Sequence, residues 1–275
     1  MRGSIIVVSG LLAALQPGAH SEDPFANIPR DDVRVGLILV EGGETLTHPF
    51  PEILYVVEGE LDWVQGTERF TARAGTLAFI PTGTAHTLAS ASEAAATLAF
   101  YRWAPGGDRA TLHRPSTMIE PVEVPSAETP ALVDLRRYQS GPIASGRVHT
   151  HIDDVEWTTN WTYSEELWKV YRYKPLVRAP LADWQGIARS DVRMGLQELD
   201  PGAAYPAHHH PSPEIYVILN GEAQWTVGER SFAAESGTAI YTPPDTRHRI
   251  ENTGTARLRW LYFWWAPGGD ISVFE

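Results

Sequence analysis

The sequence predicts an all-β protein made of two tandem β-barrels. Short runs of β-branched and aromatic residues are separated by Gly, Pro and Asn turns, which is typical of antiparallel barrels and sandwiches. The second half of the chain repeats the first half at fixed spacing. Hydrophobic residues make up 43% of the chain although Gly and Pro number 23 and 21, which is typical of a turn-rich folded protein.

The two copies of the repeat agree in the spacing of their motifs and in part of their amino-acid sequence. The 34 positions from Glu52 to His86 equal the 34 positions from Glu214 to His248, and each half ends on the phrase Trp-Ala-Pro-Gly-Gly-Asp. A repeat of this regularity indicates a duplicated domain. The 275 residues are long enough to bury two separate cores.

Three segments follow from the repeat. We predict a first barrel at residues 1–112, a proline-rich connector at 113–150 and a second barrel at 151–275. The second barrel opens with a Trp- and Tyr-rich stretch between Val155 and Ala188 that has no counterpart in the first half. The chain is expected to be a monomer or a homodimer, since two barrels can cover each other's faces.

The N-terminal apolar stretch, Ile5–Leu15, is too short for a membrane span, which needs about 20 apolar residues. The Leu-Gln-Pro-Gly sequence that follows is a poor site for signal-peptide cleavage, so we expect a cytoplasmic protein. The stretch itself is expected to form a strand or helix on the first barrel.

Charge and cysteine content exclude several classes of function. The formal net charge of −12 argues against nucleic-acid binding and against docking on anionic membranes. The chain has no cysteine, which excludes disulfides, iron–sulfur clusters and thiol catalysis. Any metal must therefore be held by histidine and carboxylate side chains.

The sharpest local pattern is a set of metal-ligating residues in the second half. His208 and His210 are two positions apart, so on a strand they point to the same side. Glu214 on the next stretch and His248 on a strand distant in sequence can join them to hold one cation. Such ligands suit Fe, Mn, Ni, Co, Cu or Zn and leave coordination positions open for a substrate. We therefore predict a divalent transition metal at this site.

The first half carries a reduced version of the pattern. His48, Glu52 and His86 remain, but no second histidine stands beside His48. The three residues could form a second metal site of two histidines and one carboxylate. The alternative is a barrel that has lost its metal and supports the other copy.

The two motifs of the second half resemble the paired signature of the cupin superfamily. Their sequences are Gly202-x5-His208-x-His210-x3-Glu214-x6-Gly221 and Gly237-x5-Pro243-x-Asp245-x2-His248-x3-Asn252. Asp245 stands where glycine is usual, in a turn that Asp tolerates. The resemblance implies a bicupin with two double-stranded β-helix, or jelly-roll, barrels.

Residues of about 155–270 further resemble the cupin-type dimethylsulfoniopropionate (DMSP) lyases. The likeness rests on the stretch from Tyr205 to Trp225, on Tyr241-Thr-Pro-Pro-Asp-Thr-Arg-His248, and on the aromatic strand that follows. It implies a metal held by His208 or His210, Glu214 and His248. It also implies that Tyr216 coordinates or approaches the metal and that Tyr205 lies in the pocket.

The residues allow an elimination reaction on chemical grounds. A cation can bind a substrate carboxylate and acidify the adjacent C–H bond, and a tyrosine beside it can act as general base. An aromatic pocket suits a sulfonium or ammonium leaving group. The pocket residues predicted from the sequence are Trp225, Tyr241, Trp260 and Tyr262; the alternative for most tryptophans is core packing.

Three functions remain open from the sequence. The first is a metal-dependent lyase that performs β-elimination on a small carboxylate. The second is an Fe-dependent dioxygenase that uses the same ligands. The third is a non-catalytic or isomerase-like cupin that binds a sugar or a small acid.

Overall fold

The structure is a computed structural model that describes residues 6–8, 33–41, 43–103, 147–158, 164–178, 185–189, 192–210, 212–265 and 273–274. Within these residues it contains 21 strands and one six-residue helix. The predicted all-β class with two tandem barrels is therefore confirmed. Among these residues no helix has both the length and the apolar character that crossing a membrane requires.

The chain divides into two compact units. Of the described residues, those from 33 to 153 form the first unit, and those from 154 onward form the second together with residues 6–8. The elements that precede or build the first unit are β1 (Ile6–Val8), β2 (Val33–Val40), β3 (Glu44–Leu46), β4 (Glu52–Glu58), β5 (Glu60–Gln65), β6 (Glu68–Arg73), β7 (Thr76–Ile80), β8 (His86–Ser90), β9 (Ala96–Trp103) and β10 (His149–His151).

The second unit repeats this order of strands. Its elements are α1 (Glu165–Val170), β11 (Tyr171–Arg178), β12 (Ile187–Ala188), β13 (Val192–Leu199), β14 (Ala204–His209), β15 (Glu214–Asn220), β16 (Glu222–Val227), β17 (Arg230–Glu235), β18 (Ala239–Thr242), β19 (His248–Asn252), β20 (Leu258–Trp265) and β21 (Val273–Phe274). Helix α1 begins at Ser164, whose hydroxyl accepts a hydrogen bond from the Leu167 amide.

The described residues of each unit form two sheets. In the first, the orders are β10-β7-β4-β9-β2 and β3-β8-β5-β6. In the second, the orders are β1-β18-β15-β20-β13-β11-β12 and β17-β16-β19-β14-β21. Each core draws buried side chains from both of its sheets, for example Leu54 and Trp63 in the first unit, and Ile218 and Trp225 in the second.

Two strands join a different unit from the one predicted from the sequence. The apolar N-terminal stretch was expected on the first barrel, but β1 pairs with β18 in the large sheet of the second unit. Conversely, β10 lies at the end of the predicted connector and pairs with β7 in the first unit. Neither pairing has a local signal, because each joins residues that are distant in sequence. The connector up to residue 146 lies outside the described residues.

Candidate metal centre

The four predicted ligands of the second barrel come from both sheets of the second unit. The five-stranded sheet contains β14 and β19, and the seven-stranded sheet contains β15. His208 on β14 lies directly opposite His248 on β19 in the antiparallel register. His210 follows β14, and Glu214 begins β15. Ring nitrogens of the three histidines lie within 4.8 Å of one another. All four side chains are buried.

Backbone carbonyls fix the orientation of all three imidazoles. The Nδ1 atoms of His208, His210 and His248 donate hydrogen bonds to the carbonyl oxygens of Pro206 (3.0 Å), Ser212 (2.7 Å) and Thr246 (2.8 Å). A carbonyl can only accept, so each Nδ1 carries the proton and each Nε2 is directed to the shared centre. Metal-ligating histidines are commonly oriented by hydrogen bonds of this kind.

Glu214 completes the group. Its Oε2 atom lies 2.8 Å from Nε2 of His210 and 3.6 Å from Nε2 of His248. Burial opposes ionisation of this carboxyl, but His210 and His248 outweigh burial and lower its pKa to about 2. Burial likewise opposes protonation of His210, but its contacts with Glu214 outweigh burial and raise its pKa. Burial and the nearby His248 lower the pKa of His208 well below its usual value, which keeps it neutral.

These donors fit a divalent cation. The Nε2 atom of His248 is buried and has no hydrogen-bond partner among the described residues. His210 shares its Nε2 proton with Glu214, and a bound cation would take the place of that proton. Three imidazole nitrogens and one carboxylate oxygen suit the transition metals predicted from the sequence.

A left-handed turn holds the His210 backbone in place. Asp245 has φ of 53°, and its amide donates to the His210 carbonyl at 2.8 Å. In the first barrel Gly83 has φ of 72° and makes the same bond to His48. The sequence correctly predicted a turn in which Asp245 replaces glycine.

Tyr216 contacts the ligand group directly. Its hydroxyl donates to Oε2 of Glu214 at 2.5 Å. Glu214 and Tyr216 are two positions apart on β15, so their side chains share one face of the strand. Tyr205 lies on the other side, where its ring meets the edge of His208 with centroids 4.9 Å apart. Both predicted catalytic tyrosines are therefore beside the centre.

Aromatic residues form the interior wall next to these tyrosines. Trp225, Trp260 and Tyr262 all belong to the same buried cluster as Tyr216. The indole nitrogens of Trp225 and Trp260 are buried and have no hydrogen-bond partner among the residues that the structure describes. The barrel thus combines π faces with unused N–H donors. Three of the four predicted pocket residues are brought together here.

Tyr241 does not join them. Tyr216 pairs with Ile240 across β15 and β18, and both belong to the interior cluster. Tyr241 pairs with Ile215, so strand alternation turns it to the opposite face of the sheet. The prediction for Tyr241 was wrong because it rested on the position of this residue within the second motif, whereas the register of β18 decides which face its side chain takes.

Sequence reasoning missed two contacts of the centre. Trp264 packs against His210, with ring centroids 4.3 Å apart. The alternation of Trp260 and Tyr262 along β20 already indicated this face. Tyr171 packs on Tyr205 at 4.7 Å and accepts a hydrogen bond from Gln197. Its only signal was the aromatic stretch that precedes the second barrel.

The reduced set in the first barrel also comes together. Candidate ligand atoms of His48, Glu52 and His86 lie within 4.8 Å of one another, and all three side chains are buried. Burial lowers the pKa of His48 to about 4 and also lowers the pKa of His86, so both imidazoles are neutral. His86 is oriented by the Thr84 carbonyl, whereas Nδ1 of His48 has no partner among the described residues.

Arg102 distinguishes this group from the second one. Its Nε atom donates to Oε1 of Glu52 at 2.6 Å, and its guanidinium lies over the rings of Phe50 and Phe100. Arg102 occupies the repeat position of Trp264. Arg102 is not among the site residues predicted from the sequence, although the spacing of the repeat identifies its position.

Comparison with known proteins gives a family for both halves. Residues 37–101 and 195–264 match the Cupin domain family. A variant of the oxalate decarboxylase of Bacillus subtilis superimposes with a TM-score of 0.62 at 17% identity, covering 91% of this chain and 73% of that one. AerE of Microcystis aeruginosa superimposes with a TM-score of 0.58 at 13% identity, covering 86% of this chain and 89% of that one. These likenesses concern the fold.

Two curated relatives match parts of the chain. An uncharacterized protein of Methanocaldococcus jannaschii is 41% identical over 69 residues, which are 24% of this chain and 55% of that protein. The dimethylsulfoniopropionate lyase DddW of Ruegeria pomeroyi is 29% identical over 104 residues, which are 38% of this chain and 61% of the lyase. Each match spans less than two thirds of the relative's length.

Proposed function

Because this chain is a bicupin, with one cupin domain in each half, we propose that it is a metal-dependent lyase acting on a small carboxylate. The reaction is a β-elimination in the second barrel. His208, His210, Glu214 and His248 are the proposed ligands. The bound cation would supply Lewis-acid polarisation of a substrate carboxylate.

The observation that carries the proposal is the hydrogen bond from Tyr216 to Glu214. A phenol held against a metal-binding carboxylate stands within reach of a substrate bound at the open positions. The positive charge of a cation bound beside it would favour the phenolate form, and Tyr216 is therefore the proposed proton acceptor. Tyr262 differs, because burial raises its pKa and keeps its hydroxyl protonated.

The proton and the electron pairs each have a destination in the proposed step. The proton on the carbon next to the carboxylate moves to the Tyr216 oxygen, and the C–H electron pair becomes a carbon–carbon double bond. The bond to the β-leaving group breaks, and its electrons leave with that group. A sulfonium would depart as a neutral thioether, so no oxidant or reductant is needed.

The wall of the barrel suits such a substrate. The π faces of Trp225 and Trp260 can attract an onium group. Their indole N–H groups can only donate, so they complement carboxylate oxygens. The likeness to the DddW lyase supports the same substrate class, a β-sulfonium carboxylate, and therefore carbon–sulfur lyase activity.

The first barrel is proposed as a supporting domain, with His48, Glu52 and His86 as a weaker second metal site. Arg102 already supplies a positive charge 2.6 Å from Glu52, and that charge opposes a further cation. The repeat position of His208 is occupied by Leu46. A cytoplasmic location and a monomeric or homodimeric state stay predictions.

The test is turnover of dimethylsulfoniopropionate by the metal-loaded protein and its Tyr216→Phe variant. The variant should keep its metal and lose about a hundredfold or more in kcat, because it lacks only the proton acceptor. Tyr241→Phe is the matched control, since that ring faces away. Oxygen uptake is recorded in parallel with added Fe(II).

Three outcomes would contradict the lyase. Acrylate is the product of β-elimination from dimethylsulfoniopropionate. Equal acrylate production by the Tyr216→Phe variant and the wild type would show that Tyr216 is not the base. Oxygen uptake without acrylate would favour the dioxygenase alternative. A metal-loaded wild type that binds small acids without converting them would favour the binding protein.

A further inference from the structure

A cluster of arginines surrounds a buried glutamate on the large sheet of the second unit. Arg172 on β11, Glu198 on β13 and Arg259 on β20 are direct neighbours in the strand register. Arg172 binds Oε2 of Glu198 through Nε at 3.0 Å and Nη2 at 2.6 Å. Arg259 binds Oε1 through Nε at 2.8 Å and Nη2 at 2.5 Å. Both carboxylate oxygens are therefore already used.

A third arginine gives the cluster an excess of positive charge. Arg257 lies 3.6 Å from Glu198 and pairs with Asp200 at 2.6 Å. Three guanidinium groups thus face two carboxylates, which leaves one positive charge in a chain whose net charge is −12. The arginine side chains are 42–45% exposed, whereas Glu198 is 1% exposed. The three guanidinium groups therefore reach solvent whereas Glu198 does not, and Asp200, paired with Arg257, is 32% exposed.

The cluster lines a cavity of about 260 Å³ together with Asn220. Arg172 and Arg259 use their Nε and Nη2 atoms to bind Glu198, so their Nη1 atoms lie outside these bonds and can serve as donors. The guanidinium of Arg172 is also fixed from behind, since it lies 4.7 Å from the ring centroid of Trp157. Donors held in place before binding cost less ordering entropy when a ligand arrives.

The first barrel shows that the fold does not require this cluster. The counterparts of Glu198, Arg257 and Arg259 are Leu39, Ala95 and Thr97, since Leu39 pairs with Thr97 as Glu198 pairs with Arg259. The same sheet nevertheless forms, with β2 and β9 paired over their whole length. The arginine cluster is therefore not needed to form this sheet, and its presence in the second barrel alone indicates a role other than folding.

The cavity is separate from the candidate metal centre. Leu199 belongs to the interior cluster of the second barrel. Glu198 is its neighbour along β13, so it points to the opposite face of the sheet. A ligand on the arginines therefore does not touch the ligand group of His210.

From these observations we propose that the cavity formed by Arg172, Arg257, Arg259 and Asn220 over Glu198 binds a small dianionic oxyanion such as phosphate. Separate guanidinium groups suit a tetrahedral anion whose oxygens accept from several directions. This site goes beyond the proposed lyase and does not depend on it.

The test is calorimetric titration of inorganic phosphate into the full chain at constant ionic strength, because screening by salt alone weakens such contacts. Arg257→Ala should weaken phosphate binding about tenfold or more, since it removes one of the three cations. Asn220→Glu places a carboxylate at the rim, as Glu58 does in the first barrel, and should abolish binding. Arg249→Ala is the control, because Arg249 is a surface arginine that pairs with Glu251, away from the cluster.

Phosphate binding at the metal centre is tested by repeating the titration with a His210→Ala variant. This variant should bind phosphate as the wild type does. Loss of binding in that variant would assign phosphate to the metal and overturn the proposal. So would equal binding in the wild type and both cavity variants, or an equal effect of Arg249→Ala. Acetate that competes as well as phosphate would contradict a dianion site. No detectable binding at millimolar phosphate would overturn it outright.

Discussion

The two barrels have the same pattern of burial but different interiors. Strands β4 and β15 share one order of buried and exposed residues, and so do β6 and β17. From Leu46 to Trp103 each residue has its counterpart 162 positions later, as Glu52 has in Glu214, whereas the counterparts of β2 lie 159 positions later on β13. The pattern of apolar and polar residues therefore specifies the fold twice, independently of the chemistry inside.

A few interior exchanges account for the chemical difference. Leu46 stands at the position of His208, and Leu54 at the position of Tyr216. Arg102 replaces Trp264 and balances the charge of Glu52 from within the chain. The second barrel has no such cation beside Glu214 among the described residues, where histidines face the carboxylate instead. One barrel carries its own positive charge, and the other is arranged to receive one.

Removing the carboxylate from each barrel should give the largest contrast. Glu214→Ala should weaken metal binding roughly a thousandfold or more, because loss of a direct ligand exceeds the ten- to hundredfold cost of losing an outer partner. Glu52→Ala should leave the main metal equivalent unchanged. Elemental analysis after dialysis measures both. Equal losses in the two variants would show that the first barrel holds metal as well.

Removing the internal cation should destabilise the first barrel. Arg102→Leu leaves Glu52 buried and unpaired, which costs about 3 kcal/mol of unfolding free energy. The double variant Glu52→Leu with Arg102→Leu should recover most of that loss, since no buried charge remains. Urea unfolding followed by tryptophan fluorescence measures both. A double variant as unstable as the single one would contradict the charge-balance explanation.

Filling the space beside Tyr262 should disturb the second barrel alone. A Cβ atom at Gly195 would lie 2.5 Å from the Tyr262 ring and 2.7 Å from the Lys174 carbonyl. Gly195→Ala should therefore cost about 2 kcal/mol through overpacking. Gly254→Ala, whose Cβ would have ordinary contacts from 3.4 Å, is the control. Thermal melting of the two variants compares them; equal melting temperatures would refute the close approach.

Restoring the missing histidine should make the metal affinity of the first barrel more similar to that of the second, and this is the smallest of the expected effects. Leu46 lies opposite His86 in the strand register, as His208 lies opposite His248. Leu46→His should strengthen metal binding in the first barrel about tenfold, because Arg102 still opposes the cation. Metal titration of the variant against the wild type measures the gain. An unchanged stoichiometry and affinity would mean that Arg102 alone decides occupancy.

Much of the site follows from the sequence because strand periodicity is local. The spacing of His208, His210 and Glu214 determines which side chains share a face, and the repeat confirms the partner strand. The orientation of Tyr241 could not be predicted in this way, since the register of β18 decides it. The carbonyls that fix the imidazoles are also invisible to sequence reasoning, because every residue has one.

The pairing of β1 with β18 has a consequence for biosynthesis. Val8 and its partner Ala239 are 231 positions apart. At about 5–20 residues per second, ribosomes need roughly 10–50 s to synthesise the chain between them. During that interval β1 lacks its partner strand β18, while most of its future sheet does not yet exist. Completion of the second barrel must therefore be largely post-translational, and the unpaired apolar segment is a natural point for chaperone binding during synthesis.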